Sequence, residues 1–185
     1  MTGIQRKLRF GLLTGGLALL IAIRVGGPHW AQAHSMEILR EQRLIDRCVP
    51  LVQALAPNVE RQYLLVDSAT PDYVCIASQD AGGNEIALIT WDATREEVRQ
   101  VIGHPAACDL AGEHEMSSPQ LVWKTRSWLS SLDLAPNIRR WRPVGAPIAL
   151  RSHHQVVRWA GEGRRASVEI DDRSGALYEA LIRTQ

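Results

Sequence analysis

The sequence predicts an α+β fold: two tandem helix-plus-antiparallel-sheet units behind an N-terminal signal or anchor segment. Three observations predict it. Apolar residues twice recur at helical spacing and are twice followed by short strand-like runs; LAPNV at 55–59 is echoed by LAPNI at 134–138; and the chain opens on a basic, then apolar, stretch. One helix on a three- or four-stranded sheet barely makes a core at this size, so two such units are expected to shield each other.

The leader comes first. Arg6, Lys7 and Arg9 precede an apolar run from Phe10 to Ile23, and Ala31-Gln32-Ala33 supplies a small-x-small triplet. That order describes a secretory signal cleaved after Ala33. The alternative is an anchor through residues 10–25, although this run is shorter than the ~20 residues a spanning helix usually needs. In either case positive charge before the run directs the body outward, so an extracytoplasmic, bacterial-type location is expected: periplasmic, secreted or membrane-anchored. Beyond Ala33 the chain carries 17 Lys and Arg against 20 Asp and Glu, a net charge of −3. Such a body has no electrostatic reason to bind nucleic acid or anionic lipid, and neither is expected as a partner.

The first unit is expected over residues 35–102. Leu44, Ile45, Cys48, Val49, Val52 and Leu55 form a helical stripe interrupted by Pro50, so a kink or two short helices are expected. Strands are predicted at 61–67, 73–78 and 85–91, separated by Thr70-Pro71-Asp72 and Ala81-Gly82-Gly83-Asn84. Val98 and Ile102 belong to a fourth strand or a short helix. Residues 103–115 read as a linker.

The second unit, 116–185, restarts the cycle. Ser118-Pro119 is read as an N-cap followed by proline at the first helical position. Leu121, Thr125, Trp128, Leu129 and Leu132 make one stripe, and LAPN is expected to stop this helix as it stops the first. An extended stretch at 140–144 leads to a hairpin of 155–160 with 165–171 around Gly161-Glu162-Gly163-Arg164. Within it Val157, Trp159, Val168 and Ile170 face one way; Arg158, Ser167 and Glu169 face the other. Asp171 to Gly175 forms a turn into a last strand at 176–182. Asn58 to Asp92 and Asn137 to Asp171 are both 34 positions apart, which supports a tandem duplication at an offset of 79.

The segment VVRWAGEGRRASVEIDDRSGALYEAL at 156–181 resembles PepSY-type domains and their relatives in YcdB-type bacterial proteins. Its signature is a strand ending in Asp, a Ser-Gly turn and a short apolar strand: Val168-Glu169-Ile170-Asp171, Arg173-Ser174-Gly175, Ala176-Leu177. The first half carries a degraded copy, Ile89-Thr90-Trp91-Asp92 with Thr94, and Arg95 in place of the glycine. The resemblance implies a helix followed by an antiparallel, cystatin-like sheet. It also implies a non-enzymatic, exported module that binds a protein or peptide in the cell envelope, inhibitor-like toward a peptidase. It supplies no catalytic residues.

The chemistry-bearing residues are read singly. Asp171-Asp172 is a carboxylate pair whose neighbours diverge, so turn capping is favoured over acid–base work. His104, Cys108, Asp109 and His114 match no standard zinc spacing. His153 and His154 begin a strand and are expected to diverge. Ser117-Ser118 serves the helix start, and no G-x-S-x-G, P-loop or dinucleotide motif occurs. Trp141 among Arg139, Arg140 and Arg142, and Trp159 beside Arg158, are read as core aromatics with a solvated Arg face. Cys48 with Cys75 is the favoured disulfide, leaving Cys108 free. No residue is assigned a catalytic, cofactor-binding or metal-ligating role, and no cofactor is expected. The alternative functions are a small-ligand binder or enzyme with a cavity between helix and sheet, and a metal-binding envelope protein using the 103–115 cluster.

Overall fold

The computed structural model describes residues 38–57, 60–104, 114–135 and 137–184. The leader, Cys108, Asp109 and most of the expected linker lie outside them. The chain divides into Met1–Arg43, of which 38–43 are helical, and Leu44–Gln185, which holds the sheet.

In the second unit helix α1 covers 44–55 and runs through Pro50 without a break. Proline deletes one main-chain bond. Cys48, Leu51 and Val52 bracket it and are buried, so packing holds the helix where local propensity predicts a kink. After a 3₁₀ turn, Arg61–Tyr63, four strands follow: β1 (Leu64–Ala69), β2 (Tyr73–Gln79), β3 (Glu85–Asp92) and β4 (Glu97–Gly103). The uncertain segment around Val98 and Ile102 is therefore a strand. Helix α2 (Ser118–Ser131) precedes a second 3₁₀ turn, Ile138–Arg140, and then β5 (Arg142–Pro143), β6 (Ile148–Arg151), β7 (His154–Gly161), β8 (Arg164–Asp171) and β9 (Leu177–Thr184).

Two tandem units, each with its own sheet, are not what these strands build. They form one continuous antiparallel sheet in the order β1-β2-β3-β4-β9-β8-β7-β5, with β6 also on β7. The join is β4 on β9: Gln100 faces Leu181, Val101 faces Ala180 and Ile102 faces Glu179. Separate sheets would leave both strands with open edges, and pairing them satisfies those backbone groups. Gly103, expected to open the linker, instead ends β4. A Cβ there would lie 2.3 Å from the Leu177 carbonyl oxygen, so only glycine allows the approach. The class remains α+β, with one sheet and one core.

That core lies on one sheet face. Ile76, Ile89, Val101, Ala180, Val168 and Val157 stand in cross-strand pairs and are all but fully buried. Trp159 and Ile170 continue the same face, as the hairpin alternation requires. Cys48, Leu51 and Val52 of α1 belong to the same cluster as Leu121 and Leu129 of α2. Trp159 donates its indole N–H to Thr125 Oγ1 at 3.3 Å in the middle of α2.

The helix ends differ slightly from expectation. Ser117, not Ser118, is the N-cap of α2, and its backbone N–H donates to Gln120 Oε1 at 2.8 Å. The helix ends at Ser131 with Leu132 as its C-cap, and Asp133, whose φ of 49° is left-handed, turns the chain just ahead of LAPN. Leu134 then donates its N–H back to the Leu129 carbonyl, so the first two residues of LAPNI are tucked into the core. The β7–β8 turn has positive φ at both Glu162 and Gly163, the backbone that a two-residue hairpin favours.

Candidate functional site

The two edges of the sheet differ in chemistry. At one edge β1 is bulged at Asp67, and its exposed residues include Asp67, Ser68 and Ala69. At the other, β5 and β6 both pair with β7, so residues 142–151 form the outermost segment. All four residues of β6 are exposed, and Leu150 and Val144 expose 58% and 51% of their surface. Pro143 and Pro147 break the segment into two short pieces, an arrangement that discourages sheet-to-sheet aggregation. Arg139, Arg140, Arg142, Arg151 and Arg158 are exposed around it. Two carboxylates answer them at long range: Glu162 lies 3.6 Å from Arg140 and Glu169 lies 3.8 Å from Arg151.

The hairpin that carries β6 turns at Ser152-His153, and His153 has a φ of 63°. Left-handed backbone at a turn is the usual place of Gly or Asn. Its Nδ1 lies 3.3 Å from Asp172 Oδ1 and 3.9 Å from Glu115 Oε1, and donor atoms of the three residues lie within 4.8 Å of one another. Asp172 is buried, and Gln155 donates an amide N–H to its Oδ2 at 3.2 Å. Main-chain bonds lock the three segments together. Asp172 N–H donates to the His153 carbonyl at 2.8 Å, and Met116 N–H donates to the Asp172 carbonyl at 2.7 Å.

His154 diverges as expected, to the opposite sheet face. There it hydrogen-bonds Glu169 at 2.6 Å and stacks on Tyr178 at 3.8 Å. Burial and the neighbouring Asp171 charge push the Tyr178 hydroxyl above its ordinary pKa. Asp171 caps its turn: Oδ1 accepts the Ser174 N–H at 2.8 Å and the Arg173 N–H at 3.0 Å. Burial works to raise its pKa, but these bonds and the Ser174 hydroxyl outweigh it and hold the carboxyl below the usual carboxylate range. Asp172 does not share that role.

The remaining candidates scatter. His104 pairs with Glu85 at 2.7 Å, His114 is exposed, and Cys108 and Asp109 lie outside the described residues. Cys48 and Cys75 are both free, which overturns the expected disulfide. The reason is strand parity. Val74 and Ile76 face the cluster that contains Cys48, so Cys75 between them faces the other side of the sheet. Trp141 and Trp159 are buried, while the arginines beside them are exposed.

Two open clefts lie elsewhere among the described residues. One of about 390 Å³ lies at the β3–β4 turn and the end of β9, lined by Arg95, Arg99 and Arg183 as well as Asp72, Asp92 and Glu97. Three of these charges are already engaged, Arg95 with Thr184, Arg99 with the Tyr73 hydroxyl and Glu97 with Arg164. The other, about 450 Å³, sits past the end of α2 between Ser130 and Arg140.

Sequence reasoning missed β6, and with it the convergence on Asp172. A signal existed. In an up-and-down series of hairpins alternate turns fall at the same sheet end, so the turns at 152–153 and 172–175 are neighbours once β6 is recognised. Nothing local marks Glu115.

Fold and site together define an α+β chain with one mixed-length antiparallel sheet and a basic, exposed edge. No protein-family model matches the sequence, and no curated protein or solved structure matches it either. No helix among the described residues is long and apolar enough to cross a membrane.

Proposed function

We propose that this chain is a non-catalytic, extracytoplasmic module that binds an extended acidic segment of a partner protein along its 142–151 edge. One observation carries the reading: the outermost segment joins exposed apolar side chains, Val144, Ile148 and Leu150, to a fringe of five exposed arginines. No strand among the described residues pairs with its outer side. An added strand would satisfy the free main-chain groups, and alternate side chains would sort onto the apolar and basic positions. Acidic residues on the ligand would neutralise the arginines and hasten association. The resemblance of 156–181 to PepSY-type domains supports the same reading, and an inhibitor-like role toward a peptidase is its finer form.

The test is fluorescence anisotropy with labelled ten-residue peptides alternating Glu with Val, beside Lys-Val and N-methylated Glu-Val controls. The Glu-Val peptide binds, and binding weakens with salt. N-methylation and the double variant Arg142→Glu/Arg151→Glu each weaken it at least about tenfold, a change of about 1.4 kcal/mol. Equal binding of the basic or the N-methylated peptide, or none at about 1 mM, overturns the proposal.

A further inference from the structure

We infer that Glu115, His153 and Asp172 form a binding site for a first-row divalent cation of the zinc class. The three donors come from three separate segments: the residues leading into α2, the β6–β7 turn and the β8–β9 turn. Imidazole nitrogen with two carboxylate oxygens suits zinc and its neighbours rather than magnesium or calcium, which prefer oxygen alone. Bonds of ~2.1 Å in tetrahedral geometry set donor atoms about 3.4 Å apart. The His153–Asp172 separation of 3.3 Å already meets this, and an inward swing of Glu115 closes its 3.9 Å separation from His153 and its separation from Asp172, which is within 4.8 Å. The Glu115 side chain is 66% exposed, so it can make that swing and leave a fourth position open to water.

The surroundings fit a ligand set better than an isolated ion pair. Gln155 holds the second Asp172 oxygen, the kind of outer contact that fixes a ligating carboxylate. The backbone bonds from Met116 to Asp172 and from Asp172 to His153 hold the three segments at fixed separation before any ion arrives. His153 occupies a left-handed turn position where a glycine would be less strained, so a side chain is kept there against local preference. The inference stands apart from peptide binding at the edge and does not depend on it.

The experiment uses the full-length chain, stripped with chelator and titrated with Zn²⁺ and with Co²⁺. One equivalent binds, Co²⁺ develops visible absorption of low-coordinate N/O character, and Zn²⁺ raises the melting temperature. Asp172→Asn and His153→Gly each weaken Zn²⁺ binding at least about tenfold, in the range of changes to metal ligation. His153→Gly suits this backbone but takes the imidazole from Asp172, so its circular dichroism without metal matches that of the parent chain. Binding retained in both variants overturns the site. So does binding lost in His104→Ala or Cys108→Ala but kept in His153→Gly, and so does no Zn²⁺ binding at all by the parent chain.

Discussion

Val101 on β4 stands directly opposite Ala180 on β9, and neither exposes any surface. The pair sits in the row that runs from Ile76 through Ile89 and on to Val168 and Val157, so it joins the two halves of the sheet into one packing layer.

Ala180→Leu is therefore expected to overpack the seam and cost about 1–3 kcal/mol. Urea unfolding followed by tryptophan fluorescence and by circular dichroism should show one coincident transition in both the parent and the variant. Two separable transitions would mean that the halves are independent units after all.

Thr125 is the polar centre of the α2 interface. Its hydroxyl donates to the Leu121 carbonyl at 2.9 Å and accepts the Trp159 indole N–H. Thr125→Val preserves shape but leaves that indole unsatisfied in the core, at a cost of about 1–3 kcal/mol. Thr125→Ser keeps the hydroxyl, and its loss is confined to one methyl group. If chemical denaturation finds Val as stable as Thr, the indole has another partner.

The turns at Asp92 and Asp171 are closed alike. Asp92 Oδ1 accepts the N–H groups of Thr94 and Arg95, both at 3.0 Å, just as Asp171 accepts those of Arg173 and Ser174. Replacing either aspartate by alanine removes the acceptor that both N–H groups share and should cost about 1 kcal/mol in thermal melts, the usual worth of a side-chain cap. Gly175, at a φ of 72°, is matched in the first turn by Glu96, at 53°, and not by Arg95, which was expected to stand in the glycine's place. Glu96→Gly should therefore be neutral or stabilising, by up to about 1 kcal/mol in thermal melts.

Cys48 gives the pH dependence. Burial pushes its thiol from an ordinary value of 9.0 to about 12, with Arg47 working the other way. Below pH 9 the thiol is protonated in both folded and unfolded chains. Above it only the unfolded chain loses the proton, so stability falls between pH 9 and 12, on the order of 1 kcal/mol per pH unit. Cys48→Ala should flatten that window relative to the parent. Iodoacetamide at pH 8 should leave Cys48 unmodified in the native protein and label it in urea; labelling without denaturant would contradict the burial.

Much of this architecture was legible locally because it rests on local physics. Alternation in 155–171 placed Val157, Trp159, Val168 and Ile170 on one face, since a strand must send alternate side chains to opposite sides. The β7–β8 and β8–β9 turns were readable from glycine and aspartate, whose preferences act within four residues. Ile148–Arg151 was not readable as a strand, because an exposed edge carries no burial signal in its pattern. The Cys48–Cys75 pairing failed for a related reason: parity decides which face a cysteine takes, and the helix lies over only one.

By itself, then, the sequence determined most of the strands, the turns between them and the amphipathic faces, all set by side-chain period and backbone preference over a few residues. Tertiary structure alone decided that β4 meets β9, because pairing two distant edges depends on which open backbone can be satisfied at least loss of chain entropy. It alone brought Glu115, His153 and Asp172 together as well. Their sequence separations carry no information, and only the common end of neighbouring hairpins makes them adjacent.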